Sequence, residues 1–115
     1  MTQPEIDGTG PGKDAKLAEI VDRLVRAYSP ERVYLFGSMA RGDAGPDSDY
    51  DLLLVVPDDA SPERVRSRLA YTALRGTGTA ADILVLRRSS FESRKHIRSS
   101  LPATILREGN LLYAA

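Results

Sequence analysis

Apolar positions along this chain follow two spacings in turn. From Asp14 to Pro30 they recur every three or four residues, which predicts an amphipathic helix with Asp14 as its N-cap and Pro30 as its end. Residues 33–36 and 50–56 are instead short, nearly continuous apolar runs, which is typical of strands covered on both faces.

The second half of the chain continues this alternation. Its predicted elements are a helix opened by Ser61 and Pro62, a strand over residues 81–86, a polar segment with Phe91 and Ile97 as buried anchors, a helix over about residues 100–108 and a short strand over residues 111–113. This order predicts an α/β domain of the α+β type, in which helices pack against a mixed β-sheet of about four strands.

Length and composition exclude several classes of protein. Residues 1–12 are rich in glycine and proline and have no period, so we expect a flexible N-terminal tail and one folded domain over residues 13–115. The absence of cysteine excludes disulfides and thiolate metal sites. No apolar run approaches the roughly 20 residues that cross a bilayer, and the start lacks the apolar stretch of a secretory signal, so we expect a soluble cytoplasmic protein without a membrane partner. Zero net charge argues against a nucleic-acid partner, because binding a duplex requires a long basic surface.

Charge is segregated along the chain despite the net value of zero. The segment between Arg41 and Arg64 has no basic residue and contains the acidic residues Asp43, Asp47, Asp49, Asp51, Asp58, Asp59 and Glu63. From there to the end, basic residues outnumber acidic ones; they are Arg64, Arg66, Arg68, Arg75, Arg87, Arg88, Arg94, Lys95, Arg98 and Arg107. An acidic metal site facing a basic wall would suit a nucleotide, but each basic residue by itself is more simply explained as part of a solvated helix face.

Asp49 and Asp51 carry the first candidate chemistry. They are separated by one residue at the start of a predicted strand, so both carboxylates project from the same face, about 7 Å apart along the backbone. Two like charges this close resist joint ionisation unless a cation lies between them. Magnesium suits this position, because it takes oxygen ligands and is bound by one or two carboxylates plus substrate phosphates. In isolation, the same pair would be explained as the end of a turn.

The residues before this pair favour a phosphate site. Gly37 follows a predicted strand and has no Cβ to keep a phosphate away from the backbone, and Ser38 can cap a helical turn and donate its hydroxyl. The exposed amides at such a helix start bind anions. Alone, a glycine and a serine after a strand indicate only a turn. With Asp49 and Asp51 on the neighbouring strand, they predict the two ends of one bound triphosphate.

Asp82 is the third candidate carboxylate. Two metal ions need more oxygen ligands than two aspartates supply, and Asp82 is the only acidic residue between Glu63 and Glu92. It opens an otherwise apolar strand, where a charge is costly to bury without a partner. The alternative is an exposed aspartate at a strand end. We predict that Asp82 binds a metal ion and takes the proton from an attacking hydroxyl.

Together these residues form a long composite motif. It consists of Gly37, Ser38, Ala40, Arg41 and Gly42 and then, after five residues, Ser48, Asp49, Asp51 and Leu52. This motif resembles the signature of the minimal nucleotidyltransferases (MNT), a branch of the DNA polymerase beta-like nucleotidyltransferase superfamily. The later Asp82 and the closing residues 107–113 are also similar to that pattern, so the resemblance covers roughly residues 15–113.

The resemblance implies a nucleotidyltransferase fold and a magnesium-dependent reaction. Asp49, Asp51 and Asp82 would bind two Mg²⁺ ions. A nucleoside monophosphate, which we expect to be AMP from an ATP donor, would pass to a hydroxyl as pyrophosphate leaves. Gly37 and Ser38 would bind the β and γ phosphates.

Other residues near the motif have less defined roles. Arg41 would either contact phosphate or hold the acidic turn in place. Ser48 is expected to cap the turn, with direct phosphate contact as the alternative. Tyr50 lies between the two aspartates and should pack on the opposite face of the sheet, whereas His96, the only histidine, is expected at the surface.

The resemblance also implies a protein partner. Members of the family often act as the antitoxin of a helical toxin of the HEPN class, and some adenylylate that toxin. Other relatives modify aminoglycosides, glutamine synthetase or nucleic acid ends. We therefore expect an adenylyltransferase whose acceptor is a hydroxyl of a partner toxin. The alternatives are a small-molecule adenylyltransferase of the aminoglycoside-modifying type and an antitoxin that acts by binding alone.

Overall fold

The chain alternates helices and strands, as its apolar pattern predicts. The computed structural model describes residues 11–37, 40, 50–79 and 81–115, with side chains from residue 15 onward. The elements in chain order are α1 (Pro11–Tyr28), β1 (Arg32–Phe36), β2 (Tyr50–Val56), a 3₁₀ helix (Pro62–Val65), α2 (Arg68–Ala73), β3 (Ala81–Arg87), α3 (Arg88–Arg94), α4 (Leu101–Glu108) and β4 (Asn110–Ala114). Strand β2 has the predicted bounds, and the other three strands extend the predicted ones at their ends.

The strands form one mixed sheet in the order β3-β2-β1-β4. Strand β1 runs antiparallel to both β2 and β4, whereas β2 and β3 are parallel. The crossover between the parallel strands contains α2. Leu52 and Leu53 of the central strand β2 point to opposite faces, and both are fully buried. This burial on two faces explains why the central strands are continuous apolar runs in the sequence.

Helices cover both faces of this sheet. Leu24 of α1 and Ala70 of α2 belong to one buried cluster with the central strands. On the other face, Phe91 of α3 and Ile105 of α4 are buried against β1 and β2, and the Phe91 ring stacks on Tyr34 with 5.6 Å between ring centroids. No helix in the described part of the chain is long and apolar enough to cross a membrane.

The first helix starts earlier than predicted. It begins at Pro11 instead of Asp14, so Asp14 lies inside α1 and is not its N-cap. Residues 11–12, which the sequence assigns to the tail, are part of this helix. The rest of the predicted tail, residues 1–10, lies outside the described residues.

The predicted second helix is divided in two. Arg66 has an extended backbone (φ −98°, ψ 142°) between the 3₁₀ helix and α2. The hydroxyl of the buried Tyr28 donates a hydrogen bond to the Arg66 carbonyl, and Arg64 Nε donates to the Tyr28 carbonyl at 2.9 Å. The first contact satisfies the Arg66 carbonyl at the break, and the second satisfies the Tyr28 carbonyl at the end of α1. They join residues far apart in sequence, so a local apolar pattern does not reveal them.

The polar segment after β3 contains a helix, α3, that the sequence did not predict. Asp58, in the loop after β2, caps its start, because the Ser89 amide donates to Asp58 Oδ1 at 2.8 Å. This hydrogen bond lowers the pKa of Asp58 below its ordinary value. Phe91 is buried as predicted, but Ile97, in the turn after α3, is 54% exposed, so its predicted role as a buried anchor is wrong.

The last helix confirms the sequence prediction. Ser100 is its N-cap, and Ser100 Oγ accepts a hydrogen bond from the Ala103 amide at 3.2 Å. Gly109 ends the helix where the chain passes close to β1. A Cβ at this position would lie 2.8 Å from the carbonyl oxygens of both Ile105 and Leu35, so only glycine fits without a shift of the backbone.

Candidate active site

Strand register brings two carboxylates together. Asp51 is the second residue of β2, and Asp82 is the second residue of β3. These strands are parallel neighbours, and their register pairs Asp51 directly with Asp82. Paired residues on adjacent strands project from the same face, with backbones about 4.8 Å apart. Two acidic side chains from distant parts of the sequence therefore lie side by side at one end of the sheet.

Asp82 is exposed, contrary to the buried position expected from its apolar strand. We expected the charge of Asp82 to be costly because the strand is buried, but this side chain is exposed. Strand β3 is at the edge of the sheet, which leaves this position open to solvent. The register with Asp51, rather than a burial cost, is therefore what supports Asp82 as a site residue.

Gly37 lies against the Asp51 carboxylate. It directly follows Phe36, the β1 residue that pairs with Asp51, and has a positive φ of 74°. A Cβ built on Gly37 would overlap Asp51 Oδ2 and would lie 3.1 Å from Asp51 Cγ. Both the backbone conformation and the position of the carboxylate thus require glycine here. The phosphate-binding role that the sequence assigns to Gly37 stays a prediction.

Tyr50 packs on the opposite face, as predicted. Its side chain is only 7% exposed and belongs to the cluster that contains α1 and α2. Because side chains alternate along a strand, Tyr50 and Leu52 fix the face from which Asp51 projects. His96 is exposed, which confirms its predicted position at the surface.

A cavity of about 610 Å³ opens beside the two carboxylates. Asp51, Asp82 and Phe36 contribute to one part of its lining. Tyr71 and Leu74, from and just after α2, contribute to another part. A volume of this size lies within the range of pockets that bind cofactors and other small molecules.

The remaining predicted site residues lie outside the described residues. They are Ser38, Arg41, Ser48 and Asp49. Within the residues that the structure describes, no group of three or more histidine, aspartate or glutamate side chains is placed to hold a metal ion. The Asp51–Asp82 pair nevertheless has suitable donor chemistry, since adjacent carboxylate oxygens are ligands that Mg²⁺ prefers.

The α2 side of the cavity was not predicted from the sequence. Ser67, Tyr71 and Leu74 all line it, and their i, i+4, i+7 spacing places them along one side of the helical segment. Ala70 is the buried residue of α2, and Leu74 packs against the same core cluster, so these residues border the core side of the helix. The helical spacing of these three residues was visible in the sequence. The break at Arg66 and the position of β3, however, determine which part of the protein they face.

Solved structures share this fold. A protein from Sulfolobus solfataricus assigned as a nucleotidyltransferase is 22% identical, with a TM-score of 0.56 over 96% of this chain and 93% of that chain. A chain from a toxin-antitoxin complex with AMP-PNP is also 22% identical, with a TM-score of 0.56 over 84% of this chain and 72% of that one. A chain from the complex of a tri-AMPylated Shewanella oneidensis HEPN toxin with an MNT antitoxin is 19% identical, with a TM-score of 0.51 over 87% and 73% of the two chains. At these identities the likeness establishes the fold.

Sequence comparison identifies the family. No curated protein sequence matches the chain. The nucleotidyltransferase domain family, however, matches residues 15–106, which include Gly37, Asp51 and Asp82. The resemblance noted from the composite motif is therefore confirmed at the level of the domain, and the chain belongs to the nucleotidyltransferase domain family.

Proposed function

We propose that this protein is a magnesium-dependent nucleotidyltransferase that transfers AMP from ATP to a hydroxyl of a partner protein. The observation that carries the proposal is the Asp51–Asp82 pair, which lines a cavity in a domain of the nucleotidyltransferase family. Cavity volume and donor chemistry both suit a nucleoside triphosphate bound with a divalent cation.

Asp51 and Asp82, together with Asp49, would hold two Mg²⁺ ions. These ions would neutralise the charge that develops on the α-phosphate and the leaving pyrophosphate. The fixed register of β2 and β3 would keep the two described carboxylates aligned before substrate binds. Gly37 and Ser38 would contact the β and γ phosphates, with Arg41 and Ser48 in supporting positions.

Asp82 would also act as the general base. In the transfer, the acceptor oxygen forms a bond to the α-phosphorus of ATP, and the bond from that phosphorus to the bridging oxygen of pyrophosphate breaks. The acceptor proton would pass to the Asp82 carboxylate and then to solvent, to which Asp82 is exposed. The same exposure allows an acceptor carried by another molecule to approach.

The proposed partner is a toxin of the HEPN class, and the protein would be its antitoxin. Support comes from the fold, because the similar structures include an MNT antitoxin bound to an AMPylated HEPN toxin. An exposed catalytic carboxylate also suits an acceptor that docks from outside. An ATP donor and a sequence without cysteine both fit a cytoplasmic location.

Transfer of labelled AMP tests this function. The protein would be incubated with labelled ATP, magnesium and the protein encoded by the neighbouring gene, and the label would be located by mass spectrometry. We expect label on a tyrosine, threonine or serine of the partner, its loss with Asp51→Asn, and its retention with Asp59→Asn. Asp59 is an exposed carboxylate in the loop after β2 and is not in the cavity lining, so it controls for the loss of one negative charge.

Other outcomes separate the alternatives. If the partner stays unlabelled but wild type and Asp51→Asn inhibit it equally, the protein is an antitoxin that acts by binding alone. If only an aminoglycoside or another small molecule accepts AMP, transferase activity stands and the antitoxin role is wrong. If Asp51→Asn labels the partner at the wild-type rate, the described carboxylate pair is not the catalytic site.

A further inference from the structure

The segment between α2 and β3 leads to Asp82, the proposed general base. It contains Gly76 and Gly78, which both have a positive φ, and a Cβ on either glycine would meet nothing within 4 Å. Glycines without close neighbours leave the backbone many conformations. Thr77 lies between them and is only 5% exposed. One buried residue is therefore flanked by two positions at which the chain can bend.

Thr77 is held by hydrogen bonds from two directions. Its Oγ1 donates to the Leu74 carbonyl at 2.8 Å, and its amide donates to the same carbonyl at 3.1 Å. The Thr77 carbonyl accepts a hydrogen bond from Lys16 Nζ of α1 at 2.7 Å. Further along the segment, the Thr79 amide donates to Thr77 Oγ1 at 3.4 Å. These bonds fix the segment to the end of α2 on one side and to α1 on the other.

A second cation of α1 holds the residues just before this segment. Arg23 Nη1 donates to the carbonyls of Ala73 at 3.3 Å and Arg75 at 3.0 Å. Carbonyls at the end of a helix have no partner within it, so these contacts satisfy groups that would otherwise depend on water. Glu19 lies between the two cations, 3.6 Å from Lys16 and 3.1 Å from Arg23, and so orients both of them.

The position of Asp82 in the sheet makes these contacts important for the site. Asp82 is the second residue of β3, which pairs with β2 alone in the described sheet. The end of an edge strand opens locally at a low cost in free energy. Bonds to β2 hold Asp82 from one side, whereas the contacts of Thr77 and Lys16 hold the chain that enters β3. Thr79, at the end of the held segment, also lines the cavity.

We propose that Thr77 and Lys16 are positioning residues for the reaction, which keep the Asp82 carboxylate beside Asp51 by holding the entry to β3. The inference rests on the proposed function, because it takes Asp82 as the base. Neither Thr77 nor Lys16 lines the cavity, so both act through Asp82 and not on the substrate. Their loss should therefore lower turnover and leave binding of the triphosphate nearly unchanged.

Two substitutions test this role in the AMP-labelling assay. Lys16→Met removes the donor to the Thr77 carbonyl, and Thr77→Val replaces the hydroxyl by a methyl group of similar size. A misplacement of about 1 Å can cost about 10²-fold in rate, so each variant should lower kcat by about tenfold. The dissociation constant of a non-hydrolysable ATP analogue with magnesium should stay within about twofold of wild type. Thr77→Ser keeps the hydroxyl and should restore most of kcat.

Two comparisons separate positioning from a general loss of stability. Arg26→Met removes another cation of α1, one that pairs with Asp22 of the same helix at 3.2 Å, and should keep the wild-type kcat. In an Asp82→Asn background, Thr77→Val should lower turnover no further, because its effect acts through Asp82. A general loss of stability would lower turnover by the same factor in both backgrounds.

Amide hydrogen exchange measures the same contacts without any activity. The protected amides of residues 81–83 should exchange about tenfold faster in Lys16→Met and Thr77→Val than in wild type, because the entry to β3 opens more often. Exchange at Leu35, in the central strand β1, should not change, and Arg26→Met should behave as wild type throughout.

Several results would overturn the inference. Lys16→Met could turn over as fast as Arg26→Met, exchange at residues 81–83 could stay at the wild-type rate, or Thr77→Val could lower turnover equally with and without Asp82. A large loss of ATP-analogue affinity in Lys16→Met would make Lys16 a phosphate ligand instead. If wild type transfers no AMP but the exchange difference is found, the contacts do hold the entry to β3, and it is the proposed function that is wrong.

Discussion

Replacing Gly37 by alanine tests how the Asp51 carboxylate is held. A residue with a side chain at φ 74° is strained by about 1–2 kcal/mol, partly offset by the roughly 0.4–1 kcal/mol that alanine gains by restricting the unfolded chain. The new Cβ would also overlap Asp51 Oδ2, and forcing that side chain off its rotamer costs about 0.5–1.5 kcal/mol more. We expect Gly37→Ala to lower the free energy of unfolding by about 2 kcal/mol.

Gly76 and Gly78 provide matched controls for this substitution. Both have a positive φ, 88° and 70°, but a Cβ on either would meet nothing within 4 Å. Alanine at these positions should therefore cost only the net backbone strain, about 1 kcal/mol or less. The difference between these variants and Gly37→Ala isolates the contact with Asp51.

Urea denaturation gives the free energies, and a double-mutant cycle gives the contact itself. In an Asp51→Ala background the overlap is gone, so Gly37→Ala should cost no more than Gly76→Ala. Gly37→Ala alone should also weaken binding of a magnesium-dependent triphosphate analogue, because it displaces a proposed metal ligand. If Gly37→Ala costs the same as Gly76→Ala, or the same in both backgrounds, the Asp51 carboxylate does not pack against Gly37 and the reasoning is wrong.

Two further predictions concern other carboxylates. Asp82→Asn should reduce turnover by about 10²-fold or more in the labelling assay while retaining most triphosphate affinity, because it removes the proposed base; near-normal turnover would exclude that role. Asp58→Asn should lower stability at neutral pH, since the Ser89 hydrogen bond depresses the pKa of Asp58. The stability advantage of wild type over Asp58→Asn should be complete above the unfolded-state pKa of about 4, and it should disappear as pH falls through the lower folded-state pKa. Unfolding midpoints of both proteins, measured between pH 7 and pH 3, test this expectation.

Local signals in the sequence predict most of this fold. Strand β2 has the predicted bounds because its apolar run is continuous and Pro57 ends it. Helix α4 begins at Leu101, one residue after the predicted start, and ends at Glu108 as predicted, because its N-cap Ser100 and the closing Gly109 are local signals. The break at Arg66 and the start of α3 were missed because hydrogen bonds from other segments determine them.

The candidate site was predictable only in part. Spacing indicated that Asp49 and Asp51 share a face, and Asp82 was identified as the only acidic residue between Glu63 and Glu92, at the start of an apolar strand. The sequence gives no register for β2 and β3, however, and that register is what places Asp51 beside Asp82. The burial argument for Asp82 failed because edge or central position in a sheet depends on strand order, which a single strand does not encode. The contribution of Tyr71 to the cavity lining was missed for a similar reason, since it depends on where α2 lies relative to the sheet.

Strand β2 contributes both to the stability of the domain and to the geometry of the candidate site. Leu52, Leu53 and Leu54 are completely buried on the two faces of the sheet, so a slip of one residue in register would exchange side chains between two differently packed clusters and disturb the packing of both. Such a slip would also replace Asp51 by Tyr50 beside Asp82. Packing of the core therefore fixes the position of the Asp51 carboxylate, and no core residue needs to contact the substrate for this effect. A conservative core change such as Leu54→Val should for this reason lower stability, by about 1 kcal/mol, and leave the carboxylate register intact.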